Sequence, residues 1–102
     1  MKKLFISQPM RGKTNAEILE ERQRAFEIAE ETLGEKLELI DSFVERTPKT
    51  EDALYCLAKS LELLAGADVA FFAKGWETAR GCKIENLCAT EYGITVIESY
   101  RR

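Results

Sequence analysis

Short apolar runs alternate with longer stretches of helical periodicity along this chain. The apolar runs are typical of buried strands and lie at residues 4–6, 37–41, 69–73 and 94–97. Apolar residues recur at helical spacing within residues 14–33, 50–65 and 82–92. This alternation of strands and helices predicts an α/β domain with a parallel sheet covered by helices on both faces. For a four-stranded sheet the simplest order is 2-1-3-4, and a five-stranded sheet is the alternative.

The predicted helices begin and end at residues that favour helix caps. Thr14 and Glu17 have the spacing of a capping box, and Thr50 is the predicted cap of the second helix. Gly34 and Gly93 are predicted to end the first and third helices. Because no linker, repeat or low-complexity segment separates these elements, we interpret residues 1–102 as one domain.

Two loops are predicted to meet at the carboxyl edge of the sheet. In the order 2-1-3-4 the loops that follow strands one and three form the crevice where open α/β sheets bind ligands. The first loop carries Ser7, Arg11, Gly12 and Lys13 ahead of a helix amino end, a pattern that favours an anion site. A solvated loop beside a capped helix is the alternative interpretation.

The same loop approaches the phosphate-binding P-loop pattern, which requires two glycines, a lysine and a hydroxyl residue. Ser7 replaces the first glycine, and Pro9 removes one backbone N–H from the phosphate cradle. We therefore favour a general anion site over a true P-loop.

One charged residue falls on the apolar side of the third predicted helix. At about 100° per residue, Glu85 lies within the arc that contains Ile84, Cys88 and Ala89. Burial of an unpaired carboxylate is costly, so Glu85 is a candidate functional residue. Glu85 is predicted to lie in the first turn of this helix, where the helix amino end favours the ionised form of its carboxyl group. The alternative is a carboxylate that reaches solvent or caps nearby backbone N–H groups.

The composition of the chain limits the kinds of ligand, general base and metal site that we expect. The net charge of −3 argues against a surface that coats nucleic acid, and the absence of histidine removes the commonest general base and metal ligand. The three cysteines lack metal-ligand spacing and indicate reduced thiols in a cytoplasmic protein. Cys82, at a helix start, is the thiol whose pKa such a position can lower. We expect no metal, no cofactor and no membrane span, since no apolar run approaches about 20 residues.

The two loops together resemble a known family. Residues 5–12, Phe-Ile-Ser-Gln-Pro-Met-Arg-Gly, are similar to the first strand and loop of the nucleoside 2-deoxyribosyltransferase superfamily. Residues 67–70 are similar to its third strand, and residues 81–85 match its Gly-x-x-x-Glu helix start. The chain resembles a short bacterial and phage branch that is similar to deoxynucleoside 5′-monophosphate N-glycosidases. The resemblance implies a flavodoxin-like three-layer sandwich and the cleavage or transfer of the N-glycosidic bond of a deoxynucleoside or deoxynucleotide.

The resemblance also implies roles for individual residues. Glu85 matches the nucleophile of the family. Asp68 resembles the sheet-edge Asp of the family, but a residue at the start of a strand is expected at the edge away from the crevice. By strand polarity, Asp41 at the end of strand two and Glu77 lie on the crevice side, and Asp41 ranks ahead of Glu77 as the acid that protonates the departing base. The expected substrate-binding residues are Ser7, Met10, Arg11, Gly12, Trp76 and Gly81. For Trp76, stacking on a base and ordinary core packing are equal alternatives.

Departures from the family pattern support a second interpretation. Ala79 stands where an Asp is usual, and Cys82 stands where a Thr is common. A nucleotide-binding or regulatory module without efficient catalysis is therefore the alternative to an enzyme.

The expected partners follow from the same resemblance. Relatives form homodimers or larger homo-oligomers, and Phe43, Tyr55 and Trp76 are candidate interface residues. The expected ligand is a deoxynucleoside or deoxynucleotide, with no nucleic-acid polymer and no membrane as partner.

Overall fold

The structure is a computed structural model that describes residues 1–42 and 52–98. In chain order, its helices and strands are β1 (Lys2–Ser7), α1 (Asn15–Leu33), β2 (Leu37–Leu39), α2 (Ala53–Leu64), β3 (Val69–Phe72), α3 (Arg80–Glu91) and β4 (Thr95–Glu98). A short 3-10 turn, Trp76–Thr78, lies between β3 and α3. Phe43 and Thr50, to which the sequence assigned an interface role and a helix cap, lie outside the described residues.

The strands form one parallel sheet in the order β2-β1-β3-β4. β1 and β3 lie at its centre, paired from Leu4 opposite Val69 to Ser7 opposite Phe72. The loops that follow β1 and β3 therefore leave the sheet at the same edge. The predicted flavodoxin-like α/β fold, with four strands in the order 2-1-3-4, is confirmed.

Alternate side chains of the two central strands enter opposite layers of the core. The layer on the α1 side includes Leu4, Ile6, Val69 and Phe71. The layer on the side of α2 and α3 includes Phe5, Ala70 and Phe72. Because side chains alternate along a strand, Ser7, two residues after Phe5, belongs to the α2–α3 side.

The start of α1 follows the sequence signal. The Thr14 hydroxyl accepts a hydrogen bond from the Glu17 backbone N–H at 3.1 Å, and the Glu17 carboxylate accepts one from the Thr14 N–H at 2.8 Å. The predicted capping box is therefore confirmed. Gly34 ends the helix in the left-handed conformation with φ 68°, which glycine adopts without steric strain.

Two helix starts differ from the prediction. α2 begins at Ala53, and its cap is Asp52, whose carboxylate accepts a hydrogen bond from the Tyr55 N–H at 3.1 Å. α3 begins at Arg80, two residues earlier than predicted, so Glu85 lies in its second turn. The electrostatic benefit of a helix amino end fades beyond the first turn. The placement of Glu85 in the first turn was therefore wrong.

The helices on the α2–α3 side bury less apolar surface than their patterns predict. On α2 Leu64 is buried, whereas Leu54 is 74% exposed. Leu87 of α3 and Tyr92, the residue that caps the end of α3, are also exposed. Within residues 1–42 and 52–98 no helix combines the length and the hydropathy needed to cross a membrane.

Two leucines of α2 give a matched test of this packing. We expect Leu64→Ala to lower the free energy of unfolding by about 2–5 kcal/mol, because it removes a buried side chain and leaves a cavity. The same change at the exposed Leu54 is expected to alter it by no more than about 0.5 kcal/mol. Urea unfolding followed by circular dichroism measures both variants. Equal losses at the two positions would contradict the assignment of Leu64, and not Leu54, to the core.

Candidate functional site

Ser7 is fixed at the carboxyl edge of the sheet by its place in β1. It is the last residue of the strand, and its carbonyl accepts a hydrogen bond from the Ala73 N–H at 2.9 Å. Its side chain faces the α2–α3 layer and the residue is 3% exposed. A buried hydroxyl needs a partner within the protein.

That partner is the carboxylate of Glu85. The Ser7 hydroxyl donates to Glu85, with 2.5 Å between Oγ and Oε1, and Glu85 itself is 7% exposed. Ser60 of α2 provides a second hydroxyl hydrogen bond to the carboxylate. In the described part of the chain no Lys or Arg forms an ion pair with Glu85. The buried carboxylate is therefore held by hydroxyl groups from two other elements and not by a counter-charge.

Burial raises the pKa of Glu85 above its ordinary value. The hydrogen bonds from Ser7 and Ser60 favour the ionised form and act in the opposite direction, but they do not offset the loss of water. A buried ionisable group with a raised pKa at the ligand-binding edge of a sheet is typical of a functional site.

Cys82 completes the buried group around Ser7. It lies on α3 three residues before Glu85, is buried, and forms a side-chain hydrogen bond with Ser7. Burial raises the pKa of the Cys82 thiol to about 11. The lowered pKa considered for a thiol at a helix start is therefore wrong. Because the thiolate is the reactive form, Cys82 is a poor nucleophile at neutral pH.

The loops that follow β1 and β3 lie close together, as the strand order predicts. Gly75 adopts φ 89°, a conformation that favours glycine, and a Cβ built on it lies 3.6 Å from the Cγ of Pro9. Trp76 packs in the core beside Phe72, with ring centroids 5.7 Å apart. Trp76 therefore packs as an ordinary aromatic residue against the core. The stacking of Trp76 on a base stays a prediction.

Three of the predicted substrate-binding residues, Met10, Arg11 and Gly12, lie within a tight turn of the first loop. The Lys13 N–H donates to the Met10 carbonyl at 3.2 Å, and Gly12 adopts φ 81°. Arg11 is exposed, and among the described residues it forms no ion pair. Lys13, in contrast, pairs with Glu21 at 3.1 Å. Lys13 is therefore engaged on α1 and is not free to contact a phosphate as a P-loop lysine does.

Gly81, the second residue of α3, has open space beside it. A Cβ at this position meets no atom of the described chain within 4 Å, and the backbone has no positive φ. Packing therefore does not require glycine here. Close approach of a ligand is a reason for glycine at such a position.

In the described chain the two candidate acids are not hydrogen-bonded to the buried pair. Asp41 and Glu77 are exposed, and neither is hydrogen-bonded to Ser7 or Glu85 in the described chain. Asp68, at the start of β3, accepts a hydrogen bond from the Lys3 N–H at 2.8 Å at the amino edge of the sheet. This contact gives Asp68 a structural role on the edge opposite Glu85.

Residues 2–98 match the family described as a domain of unknown function, DUF4406. The chain belongs to the DUF4406 family. The match spans every strand and helix from β1 to β4 and includes both Ser7 and Glu85. No curated protein and no solved structure gives a significant match.

The sequence reasoning missed several polar residues of this DUF4406 domain. Ser60 contacts Glu85, and Gln8, Arg22 and Ser42 are buried near the ends of β1 and β2. A signal for Arg22 was present, because it lies on the buried stripe of α1, four residues after Ile18. The same wheel argument that identified Glu85 therefore applies to Arg22.

The DUF4406 domain also contains an apolar cavity away from this site. Its volume is about 390 Å³, and it is lined by Leu61, Leu64, Ala65, Cys88, Tyr92 and Ile94. These residues lie toward the ends of α2 and α3 and the start of β4, at the edge of the sheet opposite Ser7.

Across residues 1–42 and 52–98 no group of three or more His, Cys, Asp or Glu side chains is placed to hold a metal ion.

The raised pKa of Glu85 predicts an effect of pH on stability. A carboxyl group whose pKa is higher in the folded than in the unfolded chain destabilises the fold as pH rises through the folded pKa. Below the ordinary value of 4.5 this effect is absent, because the group is protonated in both states. Glu85→Gln keeps an acceptor for Ser7 without the charge. We therefore expect Glu85→Gln to melt at a higher temperature than wild type at pH 7.5, by about 4–8 °C for each kcal/mol gained in the free energy of unfolding. At pH 4 the expected increase in melting temperature is smaller.

Thermal unfolding by calorimetry at both pH values measures this difference. Glu77→Gln removes an exposed carboxylate of the same edge and serves as the matched control, with little change expected at either pH. A Glu85→Gln variant that melts below wild type at pH 7.5 would contradict the assignment.

Proposed function

We propose that this DUF4406 domain cleaves or transfers the N-glycosidic bond of a deoxynucleoside or deoxynucleotide, with Glu85 as the nucleophile. The observation that carries the proposal is a buried carboxylate at the carboxyl edge of the sheet, bonded to hydroxyl groups and to no cation in the described chain. The resemblance to the nucleoside 2-deoxyribosyltransferase superfamily supplies the reaction class.

In the proposed reaction the ionised Glu85 attacks the anomeric carbon of the sugar. The bond from that carbon to the base nitrogen breaks, and its electron pair leaves with the base, which takes up a proton. A carboxylate beside the anomeric carbon stabilises the positive charge that develops in the transition state. Water then hydrolyses the glycosyl ester, or a second base accepts the sugar, and Glu85 is regenerated.

The surroundings of Glu85 favour this role. Burial removes water from the carboxylate, and the Ser7 and Ser60 hydroxyls restrict its orientation. Asp41, followed by Glu77, remains the proposed source of the proton for the departing base. Both acids are exposed, so either one must approach the base in the substrate complex.

Basic residues around the site support an anionic substrate such as a deoxynucleoside 5′-monophosphate. Three exposed basic residues lie there: Arg11 follows β1, Lys74 follows β3, and Arg80 begins α3. In the described chain none of them forms an ion pair, although the protein as a whole is acidic. Unpaired cations at one edge of an acidic protein attract an anion to that edge.

The assembly and location that we propose are a homodimer or larger homo-oligomer in the cytoplasm. The exposed apolar side chains of Leu54 and Tyr55 on α2 support self-association. The three free cysteines, Cys56, Cys82 and Cys88, support a reducing compartment.

The proposed reaction predicts release of free base from a panel of deoxynucleoside 5′-monophosphates, measured by chromatography with and without an acceptor base. Glu85→Ala is expected to reduce the rate by about a thousandfold or more, because the nucleophile is lost. Glu77→Ala is the carboxylate control, and its rate is expected to fall less. Base release that is the same in Glu85→Ala as in wild type would rule the mechanism out.

A nucleotide-binding module without efficient catalysis is the second candidate. It is favoured by two observations: in the described chain neither candidate acid is hydrogen-bonded to Glu85, and Ala79 stands where the nucleoside 2-deoxyribosyltransferases usually have an Asp. Nucleotide binding in calorimetry that Arg11→Ala abolishes, together with no base release by wild type, would favour this module over the enzyme.

Gly81 provides a test in which stability and binding change in opposite directions. Because a Cβ meets nothing at this helical position, Gly81→Ala is expected to stabilise the fold by about 0.4–1 kcal/mol. The added methyl group occupies the space proposed for the ligand, so the affinity for a deoxynucleotide is expected to fall. Thermal unfolding and calorimetric titration measure the two effects. A variant that is more stable and binds as well as wild type would contradict a ligand position beside Gly81.

A further inference from the structure

Arg22 is a buried cation on α1, and within residues 1–42 and 52–98 no carboxylate is hydrogen-bonded to it. It is 5% exposed, and its guanidinium donates to the Gln8 side-chain oxygen at 3.2 Å, the Ile40 carbonyl at 3.4 Å and the Ser42 hydroxyl at 3.1 Å. All three acceptors are neutral. Burial lowers the pKa of Arg22, and the nearby charge of Asp41 opposes this effect without a hydrogen bond. Such an arrangement is expensive for a group that serves only to fill the core.

The three acceptors show which parts of the fold Arg22 connects. Gln8 is the first residue after β1, while Ile40 and Ser42 follow β2. The guanidinium therefore fastens the ends of two neighbouring strands to the buried side of α1. Its planar shape and several donors allow it to reach three acceptors at once, which a lysine ammonium on a flexible chain does less well.

Gln8 extends this hydrogen-bond network to the loop before α1. Its side-chain nitrogen donates to the Ile18 carbonyl at 3.2 Å and to Glu21 at 2.8 Å, so both ends of its amide group are held. Glu21 also binds Lys13 at 3.1 Å. Both ends of the loop, at Gln8 and Lys13, are thus fixed to one carboxylate of α1.

Gln8 directly follows Ser7 in the chain, and their side chains face opposite layers. The Ser7 hydroxyl bonds to Glu85 on the α2–α3 side, whereas the Gln8 amide bonds to α1. A change in the position of Gln8 therefore rotates or displaces the adjoining end of β1. We propose that Arg22 is a positioning residue that holds Gln8 and thereby keeps the Ser7 hydroxyl directed at Glu85.

The functional meaning of this inference rests on the proposed role of Glu85, but its test requires no turnover. The readout is the titration of the Glu85 side-chain carboxyl, followed by NMR in the intact protein. Because the Ser7 hydrogen bond lowers the pKa of Glu85, its loss in Ser7→Ala raises that pKa. Arg22→Met is expected to raise it in the same direction. Arg24→Met, which removes an exposed arginine of the same helix, is expected to leave it unchanged.

Two further variants separate positioning from a direct effect of charge. Arg22→Lys keeps the charge but loses the planar set of donors, and we expect it to raise the pKa of Glu85 as Arg22→Met does. In the Ser7→Ala background, Arg22→Met is expected to cause no additional shift, because the bond through which it acts is already absent. If Arg22→Met does not fold, Arg22→Lys and Gln8→Ala carry the same test.

The inference is overturned if the pKa of Glu85 in folded Arg22 variants is the same as in wild type. It is also overturned if the shift persists in full in the Ser7→Ala background, because this result indicates direct electrostatics. Failure of the proposed reaction appears separately, as the absence of base release by a wild-type protein in which this coupling is intact.

Discussion

The hydrogen bond between Ser7 and Glu85 joins the last residue of a central strand to a helix near the end of the chain. A buried carboxylate without a cation is unfavourable, and the parallel sheet makes it tolerable by supplying hydroxyl donors at the point where β1 ends. Ser60 contributes a donor from α2. The arrangement needs the strand order β2-β1-β3-β4, which places the loops after β1 and β3 side by side. The fold and the candidate site are therefore consequences of the same topology.

Buried charge is distributed on both sides of the sheet. Glu85 lies on the α2–α3 side and Arg22 on the α1 side, and both are bonded to neutral groups. Ser7 and Gln8, adjacent in the chain, are the respective contacts of these charges. The end of β1 is thus held from both layers. Preorganisation of this kind keeps a reactive group in position before substrate arrives.

The sequence allowed the fold to be predicted because its local signals agree with one another. The apolar strands, the capping box at Thr14 and the glycine at position 34 all indicate the same alternation of elements. Glu85 was identifiable because a carboxylate on an apolar arc violates the helical pattern. Arg22 violates the pattern of α1 in the same way and was overlooked. Ser60 gave no such signal, because a serine is ordinary on either side of a helix and only the packing of α2 against α3 brings it to Glu85.

The central claim is that Glu85 forms a covalent bond to the sugar. Incubation with a 2′-fluoro-2′-deoxynucleoside 5′-monophosphate, whose fluorine slows hydrolysis of a glycosyl ester, followed by peptide mass spectrometry, tests this claim directly. The account predicts an added sugar phosphate on Glu85, with the free base released in equal amount. A sugar adduct on another residue, or continued release of base from this compound with Glu85 unmodified, would contradict it.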